Sequence, residues 1–363
     1  MARFYLSTDD GAPVVAGNDR TSMVRLLKKC LIDGYGSKTP AGGWTMPFVS
    51  AESSQAAFRN DSVAGTGFFL GIDAAGTSSP YRYKCIGYED MTGAAAGVFP
   101  FPRQAVELFA GNTSSAVPRP WVVVATGTWV LVVVYYNASA MPTLAGVPPG
   151  NYGWQSSGFF FGDVERHLAT DAYACMLSVI YSPTGFGYTA TGSNISSTQT
   201  PYDVYWFARR AGGAGGSVGH YGFLPHPCIG ARCGAQGPAY TPQSGLLVGK
   251  LAFNDAAAYT LRGWLPEALI PLHPRPFEHL ETVDIDGKTY RAVVFAAGNY
   301  ADSNNLAEIL FEAKRGDDGA RVPVALPARG DPRGHGAVRG VLPLHALRRE
   351  DQGRRAVLHH PRP

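Results

Sequence analysis

The stretch 121-WVVVATGTWVLVVVYY-136 decides the fold class of this chain. Two apolar runs, rich in the β-branched residue valine, flank Thr126-Gly127-Thr128, which is short enough to be a tight hairpin connection. The second run, 129-WVLVVVYY-136, is apolar or aromatic at every position. A strand of this kind is typically buried on both faces. The stretch therefore predicts a β-hairpin with one strand deep inside the protein.

The composition extends this prediction to the whole chain. The 363 residues include 44 Gly, 27 Pro, 18 Phe, 18 Tyr and 6 Trp, and only 16% are charged, against about 25% in typical domains. Many turn residues, many aromatics and few charges are typical of short strands joined by loops. We therefore predict a mainly β fold (α+β with few short helices), built of antiparallel, sandwich-like sheets in two packed parts.

The net charge of +3 is unevenly distributed along the chain. Residues 314–363 hold 11 basic and 5 acidic side chains, ten of the basic ones arginine, and no aromatic residue. The body before them is therefore net −3, which argues against nucleic-acid binding by the body. The basic segment has little to bury, which predicts disorder. The alternative is that a GC-rich gene is read out of frame there.

Targeting and disulfide signals are missing from the sequence. The first residues, MARFYLSTDDGAP, lack the basic and apolar regions of a signal peptide, and the longest apolar run has eight residues. A membrane-spanning helix needs about 20. The five cysteines are scattered and odd in number, so no disulfide framework is expected. We expect synthesis in a cytoplasm and no membrane span.

One helix is predicted near the N-terminus. Ser22 is a suitable N-cap for a helix from Met23 to about Ile32, whose apolar positions recur at spacings of three and four. Gly34 follows where a helix end favours a left-handed residue.

Strands account for most of the remaining chain, and a Gly-rich run divides it. Strands are expected at 66–73, 81–89, 158–165, 172–181, 203–210, 246–253, 282–297 and 306–312, with Asp286-Gly287 as a hairpin turn. The run 211-AGGAGGSVG-219 has the composition of a flexible connector. We therefore predict an N-terminal β-rich domain at 1–210 with its helix at about 22–33, a C-terminal β-rich part at 220–313 and a disordered segment at 314–363.

The stretch 26-LLKKCLIDGYGSKTPAGGW-44 raises the possibility of a phosphate-binding loop. Such a loop needs Gly-Lys-Ser/Thr in direct succession, after a strand and before a helix. Here Ser37 separates Gly36 from Lys38, and the segment follows a helix. A helix stop followed by a surface loop is the favoured interpretation.

Two further groups of residues could carry chemistry. His220, His226, Cys228 and Cys233 could supply zinc ligands, but their order and spacing favour a Pro-rich loop with incidental cysteines, and we expect no metal.

Asp163, Glu165 and Asp171 lie near Phe159, Phe160 and Phe161, and strand alternation puts Asp163 and Glu165 on one face. Paired carboxylates beside aromatics are typical of glycoside hydrolases. A solvated strand edge explains the same pattern. We expect no enzyme, no catalytic residues and no cofactor.

Several segments resemble a family of tailed-phage virion proteins. They are 24-VRLLKKCLIDGYGSKTPAGGWTMPF-48, 55-QAAFRN-60, 64-AGTGFFLGIDAAG-76 and 85-CIGYEDMTG-93, joined later by 119-RPWVVVATGTWVLVVV-134, 158-GFFFGDVERHLATDAYAC-175 and 288-KTYRAVV-294. The resemblance covers residues 20 to 300 approximately. Asp33 departs from the family's Asn at the helix end, and residues 314–363 have no counterpart in it.

The resemblance implies a structural protein located in the virion, in the tail or at its tip or baseplate. Its partners would be other virion proteins and further copies of itself. A receptor- or glycan-binding tail module, a capsid decoration protein and a virion-associated glycan hydrolase are the alternatives. The side chains expected in packing or contact roles are aromatic: Tyr35, Trp44, Phe48, Trp154, Phe159, Phe160, Phe161 and Trp206.

Overall fold

The computed structural model describes residues 1–77, 79–111, 113–135, 141, 156–180, 205–209, 217–221, 245–255, 258–272, 279–285, 287–296 and 306–313. These residues form a mainly β structure of antiparallel sheets with one short α-helix, as the composition predicts. All of them belong to one compact unit, Met1–Pro323.

The described strands are numbered in chain order. They are β1 (Arg3–Leu6), β2 (Val15–Ala16), β3 (Thr45–Val49), β4 (Gln55–Arg59), β5 (Phe69–Asp73), β6 (Arg82–Gly93), β7 (Ala96–Phe109), β8 (Pro118–Arg119), β9 (Trp121–Ala125), β10 (Trp129–Val134), β11 (Ser157–Asp163), β12 (Glu165–Arg166), β13 (Cys175–Ile180), β14 (Tyr205–Arg209), β15 (Ser217–Tyr221), β16 (Gly245–Asp255), β17 (Ala258–Leu272), β18 (Thr282–Ile285), β19 (Lys288–Ala296) and β20 (Leu306–Glu312).

Three sheets of five or more strands and one two-stranded sheet hold these strands. The central sheet has the order β1-β9-β10-β11-β13-β14-β15. The five-stranded sheet runs β3-β4-β5-β6-β7, and the six-stranded sheet runs β12-β17-β20-β19-β18 with β16 beside β17. β2 pairs with β8 alone.

The predicted hairpin lies in the middle of the central sheet. β9 and β10 pair antiparallel, and the Thr126 N–H donates to the Trp129 carbonyl at 2.9 Å, which closes the tight turn. Every side chain of β9 and β10 is at most 1% exposed. The prediction of burial on both faces is therefore confirmed.

Two different layers cover the two faces of the central sheet. On one face Phe161 lies 6.2 Å from Phe101 of the five-stranded sheet, measured between ring centroids. On the other face Trp129 stacks on Phe160 at 5.7 Å and lies 5.4 Å from Phe311 of the six-stranded sheet. The central sheet is thus a middle layer, which explains why its strands carry apolar residues at successive positions.

Backbone pairing also connects the layers and the distant parts of the chain. β12 follows β11 directly but pairs with β17 of the six-stranded sheet. Ala2, just before β1, forms a parallel bridge with Ala313, and its N–H donates to the Glu312 carbonyl at 3.2 Å.

The predicted connector at 211–219 needs one correction, because residues 217–219 belong to β15. This strand pairs with β14 in the central sheet, where backbone hydrogen bonding outweighs the preference of glycine for loops. The division into a domain at 1–210 and a part at 220–313 stays a prediction. Residues 314–363 lie outside the described residues.

The helix α1 (Ser22–Lys28) begins at the predicted place but with a different cap. Thr21 is the N-cap, and Ser22 is a buried first residue whose hydroxyl donates to the Asp19 carbonyl. The prediction of Ser22 as the cap is therefore wrong. Asp19 causes the shift, because its side chain accepts hydrogen bonds from both the N–H and the hydroxyl of Thr21.

A π-helical turn, Lys29–Asp33, continues α1 to the predicted end of the helix. The predicted apolar stripe is confirmed, since Met23, Leu26, Leu27, Cys30 and Leu31 are buried. Gly34 has a φ of 78°, which confirms that a residue without a Cβ is favoured at this stop.

The structure bears on the predicted absence of a membrane span through its helices alone. Among the described residues, no helix is both long enough and apolar enough to cross a bilayer.

Trp129→Ala tests the packing of the six-stranded sheet on the central sheet. We expect a loss of about 3–5 kcal/mol in the free energy of unfolding, because the change leaves a cavity between Phe160 and Phe311. Urea denaturation measures this quantity. Leu168→Ala is the control, since Leu168 is 56% exposed. A loss below about 1 kcal/mol for Trp129→Ala, the range of a surface change, would contradict this packing.

Candidate functional site

The loop after α1 is tied to the turn that follows β1. The Lys38 ammonium donates to the Phe4 carbonyl at 3.1 Å and lies 3.6 Å from Asp9 Oδ1. The Lys38 and Asp9 side chains are only 17% and 15% exposed. Lys38 is therefore a partly buried ion-pair partner, although the loop around it is mostly exposed, as the prediction of a surface loop requires.

Tyr35 completes this connection. Its hydroxyl donates to Asp9 Oδ2 at 2.9 Å, and the Leu6 N–H donates to the same oxygen at 2.8 Å. Burial, with further contributions from Cys30 and Asp9, raises the pKa of the Tyr35 hydroxyl, so that it remains a donor. Gly36 is required in this loop, because a Cβ there would lie 2.2 Å from the Asp10 carbonyl oxygen.

Asp163 lies at the end of β11 and accepts three hydrogen bonds. They come from the Thr66 N–H at 2.7 Å, the Thr66 hydroxyl at 2.6 Å and the Asn60 amide at 3.1 Å. The same Asn60 amide donates to the Thr128 carbonyl at 3.0 Å. This Asp163 cluster (Asn60, Thr66 and Asp163) joins the loop between β4 and β5 to the hairpin of the central sheet.

Glu165 does not share a face with Asp163, so this prediction is wrong. Asp163 is 7% exposed, whereas Glu165 is exposed to solvent. The alternation breaks at Val164, which is buried and whose N–H donates to the Ala174 carbonyl, and the chain then changes sheet at β12. Asp171 is buried in a separate turn, where it accepts the Tyr173 N–H at 3.0 Å.

The electrostatics of the Asp163 cluster fit a structural role. Burial raises the pKa of the Asp163 carboxyl, and its hydrogen bonds with Thr66 and Asn60 oppose the rise. Burial and the nearby Asp163 raise the pKa of the Cys175 thiol well above its ordinary value. A thiol in this state is not a nucleophile, because the thiolate is the reactive form.

Most of the predicted aromatic side chains pack inside this chain. Trp44 is 5% exposed, and its indole N–H donates to the Thr126 carbonyl at 2.6 Å. Four more of the eight predicted side chains are at most 8% exposed: Tyr35, Phe159, Phe160 and Phe161. These five side chains are buried within the chain, and their contact role with a partner stays a prediction. Trp206 lies on β14 opposite Ser178, while Trp154 lies outside the described residues.

Phe48 belongs to a surface that the sequence did not reveal as a unit. It is partly exposed on the face of the five-stranded sheet that points away from the central sheet, which we call the outer face. Phe48 and Tyr88 pack there against a small cluster of Ala57, Phe69 and Met91. Period-two alternation within 55-QAAFR-59 and 69-FLGID-73 puts a mixture of polar and apolar residues on this second face, so the sequence carries no clear signal of it.

Tyr88 lies across neighbouring strands of the outer face. A Cβ at Gly71 of β5 would lie 3.2 Å from Tyr88 Cε2, and a Cβ at Gly97 of β7 would lie 2.6 Å from Tyr88 Cδ1. Glycines on both sides therefore let the ring rest on the sheet. Tyr88 remains partly exposed, so part of the ring is open to solvent.

A row of polar side chains crosses the outer face two residues from Gly71. Asp73 Oδ1 accepts the Gln55 amide at 3.0 Å and the Gly76 N–H at 2.8 Å. Lys84, opposite Asp73 in the register, donates to the Gly76 carbonyl at 2.6 Å. Side chains that could bind a ligand therefore lie beside the Tyr88 ring.

The zinc hypothesis lies mainly outside the described residues, which include the backbone of His220 on β15 but not the positions of His226, Cys228 and Cys233. In the described part of the chain, no three His, Cys, Asp or Glu side chains are grouped to hold a metal ion.

Asp163→Asn tests the structural role of the Asp163 cluster. We expect a loss of about 1–3 kcal/mol in the free energy of unfolding, because an asparagine cannot replace every acceptor and leaves a buried donor unpaired. Glu165→Gln is the matched control, with a change within about 0.5 kcal/mol expected for an exposed residue. Equal losses in both variants would contradict the assignment.

The raised pKa of Asp163 makes the free energy of unfolding depend on pH. The folded state holds the carboxyl proton more tightly than the unfolded state, so the contribution of Asp163 to stability decreases as the pH rises from 3.8 towards the raised value. The difference in unfolding free energy between the wild type and Asp163→Asn should therefore shrink over this interval. Urea titrations at a series of pH values measure it, and a growing difference would contradict the raised pKa.

Comparisons with known proteins assign no family to this chain. A scan against models of protein families finds no match, and a search of curated proteins finds no match either.

Proposed function

We propose that this chain is a structural component of a tailed-phage virion, located in the tail or at its tip or baseplate. It would assemble with other virion proteins and with further copies of itself, and it would act without catalysis. The proposal begins from the resemblance of residues 20–300, approximately, to a family of virion proteins.

One observation supports the proposal most directly. The segments that carry the resemblance supply the contacts that hold the layers of the protein together. Segment 24–48 contributes Lys38, which pairs with Asp9, and Trp44, which donates to the Thr126 carbonyl. Segments 55–60 and 64–76 contribute Asn60 and Thr66, which hold Asp163. The segments that carry the resemblance thus also make these contacts between the layers, which supports the proposal.

The surface is consistent with assembly through apolar and aromatic contacts. Among the described residues, large apolar side chains are exposed on several loops and strand ends, including Val63 (97%), Leu168 (56%) and Phe99 (55%). Charged side chains are few. Interface cores are depleted in charge and enriched in aromatic residues, which supports a protein that buries surface against neighbours.

Mass spectrometry of purified virions tests the proposal. Particles of the phage that encodes the chain would be separated on a density gradient, and peptides of this protein should be found with the particles. A non-structural phage protein serves as the control for contamination. The proposal fails if the protein is absent from the particles and remains a monomer in solution over the whole concentration range.

A density map of the same particles distinguishes a location in the tail from one on the capsid. A position along or below the tail tube fits the proposal, whereas a position on the capsid lattice would favour the decoration alternative.

A further inference from the structure

The outer face combines an open aromatic ring with unused hydrogen-bonding atoms. Tyr88 lies over Gly71 and beside Gly97, so its ring is supported by the sheet on one side. Gly71 and Asp73 are two residues apart on β5, which places the polar row about 7 Å from the residue beneath the ring. An aromatic surface and a polar row thus lie within the span of one small ring-shaped ligand.

The polar atoms beside the ring include both donors and acceptors. Within the described part of the chain, Asp73 Oδ2 and Gln55 Oε1 accept no hydrogen bond, and the Tyr88 hydroxyl makes none. Lys84 uses one of its three protons on the Gly76 carbonyl. Burial, followed by the charge of Asp73, raises the pKa of the Tyr88 hydroxyl, which therefore remains a donor.

The charge of the outer face restricts the class of ligand. By strand register, its described charged side chains are of both signs, with three cations, Arg59, Arg82 and Lys84, and two anions, Asp73 and Glu107. Arg82 and Glu107 also form an ion pair at 2.9 Å. A binder of nucleic acid or of an acidic polymer needs an excess of cations. The outer face exceeds balance by one positive charge, and one of its cations is already paired, so it suits a neutral ligand better than a polyanion.

We propose that the outer face is a binding site for a neutral saccharide, which stacks on Tyr88 and hydrogen-bonds to Asp73, Gln55 and Lys84. A sugar ring has C–H groups on its faces and hydroxyl groups at its edge. The C–H groups match the open part of the aromatic ring, and the hydroxyls both donate and accept, as the polar row does. The site is shallow and solvent-exposed, so we expect a dissociation constant of about 1 mM.

This inference goes beyond the proposed virion function and does not depend on it. A virion protein without saccharide binding, or a saccharide-binding protein outside the virion, would separate the two proposals.

Saturation-transfer NMR on the full chain tests the proposal. The probes are maltotriose, cellotriose and chitotriose, with a hyaluronan tetrasaccharide as an acidic probe, each at about 5 mM, well above the expected dissociation constant. We expect transfer to the ring C–H protons of at least one neutral probe and none to the acidic one. Transfer to no neutral probe, or to the acidic probe alone, would overturn the proposal.

Variants test whether the saccharide binds at the outer face. Tyr88→Ala should weaken binding at least about tenfold, because the stacking surface is lost. Tyr88→Phe keeps the ring and should lose only about two- to threefold, the effect of one hydrogen bond. Asp73→Asn should lose about fivefold while preserving the shape of the site. Leu168→Ala, on another surface, should bind like the wild type.

Two outcomes of the variant series oppose the proposal. One is binding in Tyr88→Ala that equals that of Leu168→Ala. The other is self-association, measured by analytical ultracentrifugation, that Tyr88→Ala abolishes while no probe binds, since the face would then serve as a contact between copies. Thermal unfolding of every variant identifies any loss of fold, and Tyr88→Phe and Asp73→Asn keep the test valid if Tyr88→Ala does not fold.

Discussion

The rest of the structure depends on the burial of β9 and β10 on both faces. A sheet whose side chains are apolar on both sides must have a layer on each side, because either face left in water would lose the free energy of its burial. The five-stranded sheet and α1 provide one layer, and the six-stranded sheet provides the other. The layered architecture is thus the direct consequence of one run of valine, leucine and tryptophan.

Polar contacts set the position of these layers. The layers pack through apolar contacts, which are non-directional and do not by themselves define an orientation. Asp163, held by Thr66 and Asn60, and Asp9, held by Tyr35 and Lys38, add directional bonds at the margins of the core. Both are carboxylates that receive several donors, and these hydrogen bonds offset part of the cost of burying the carboxylate charge. For Asp163 the offset is incomplete, because burial still raises the pKa of its carboxyl.

Local patterns predicted the hairpin, the apolar stripe of α1 and the helix stop, because each depends on residues close in sequence. These local patterns could not predict which distant strands pair with each other. Nothing near Glu165 indicates that β12 joins a strand about 100 residues later, and the alternation that suggested a carboxylate pair ends at that change of sheet. The outer face was missed for a related reason: Tyr88 acquires its position from Gly71 and Gly97, which are separate in sequence and meet only through strand register.

The bridge between Ala2 and Ala313 has a consequence for how the chain reaches its native state. During synthesis, Ala2 cannot pair with Ala313 until almost the entire described chain has been made. β1 meets β9 only after more than a hundred intervening residues have emerged. A fold with such non-local pairing forms slowly, and its unpaired first strand is exposed to association in the meantime.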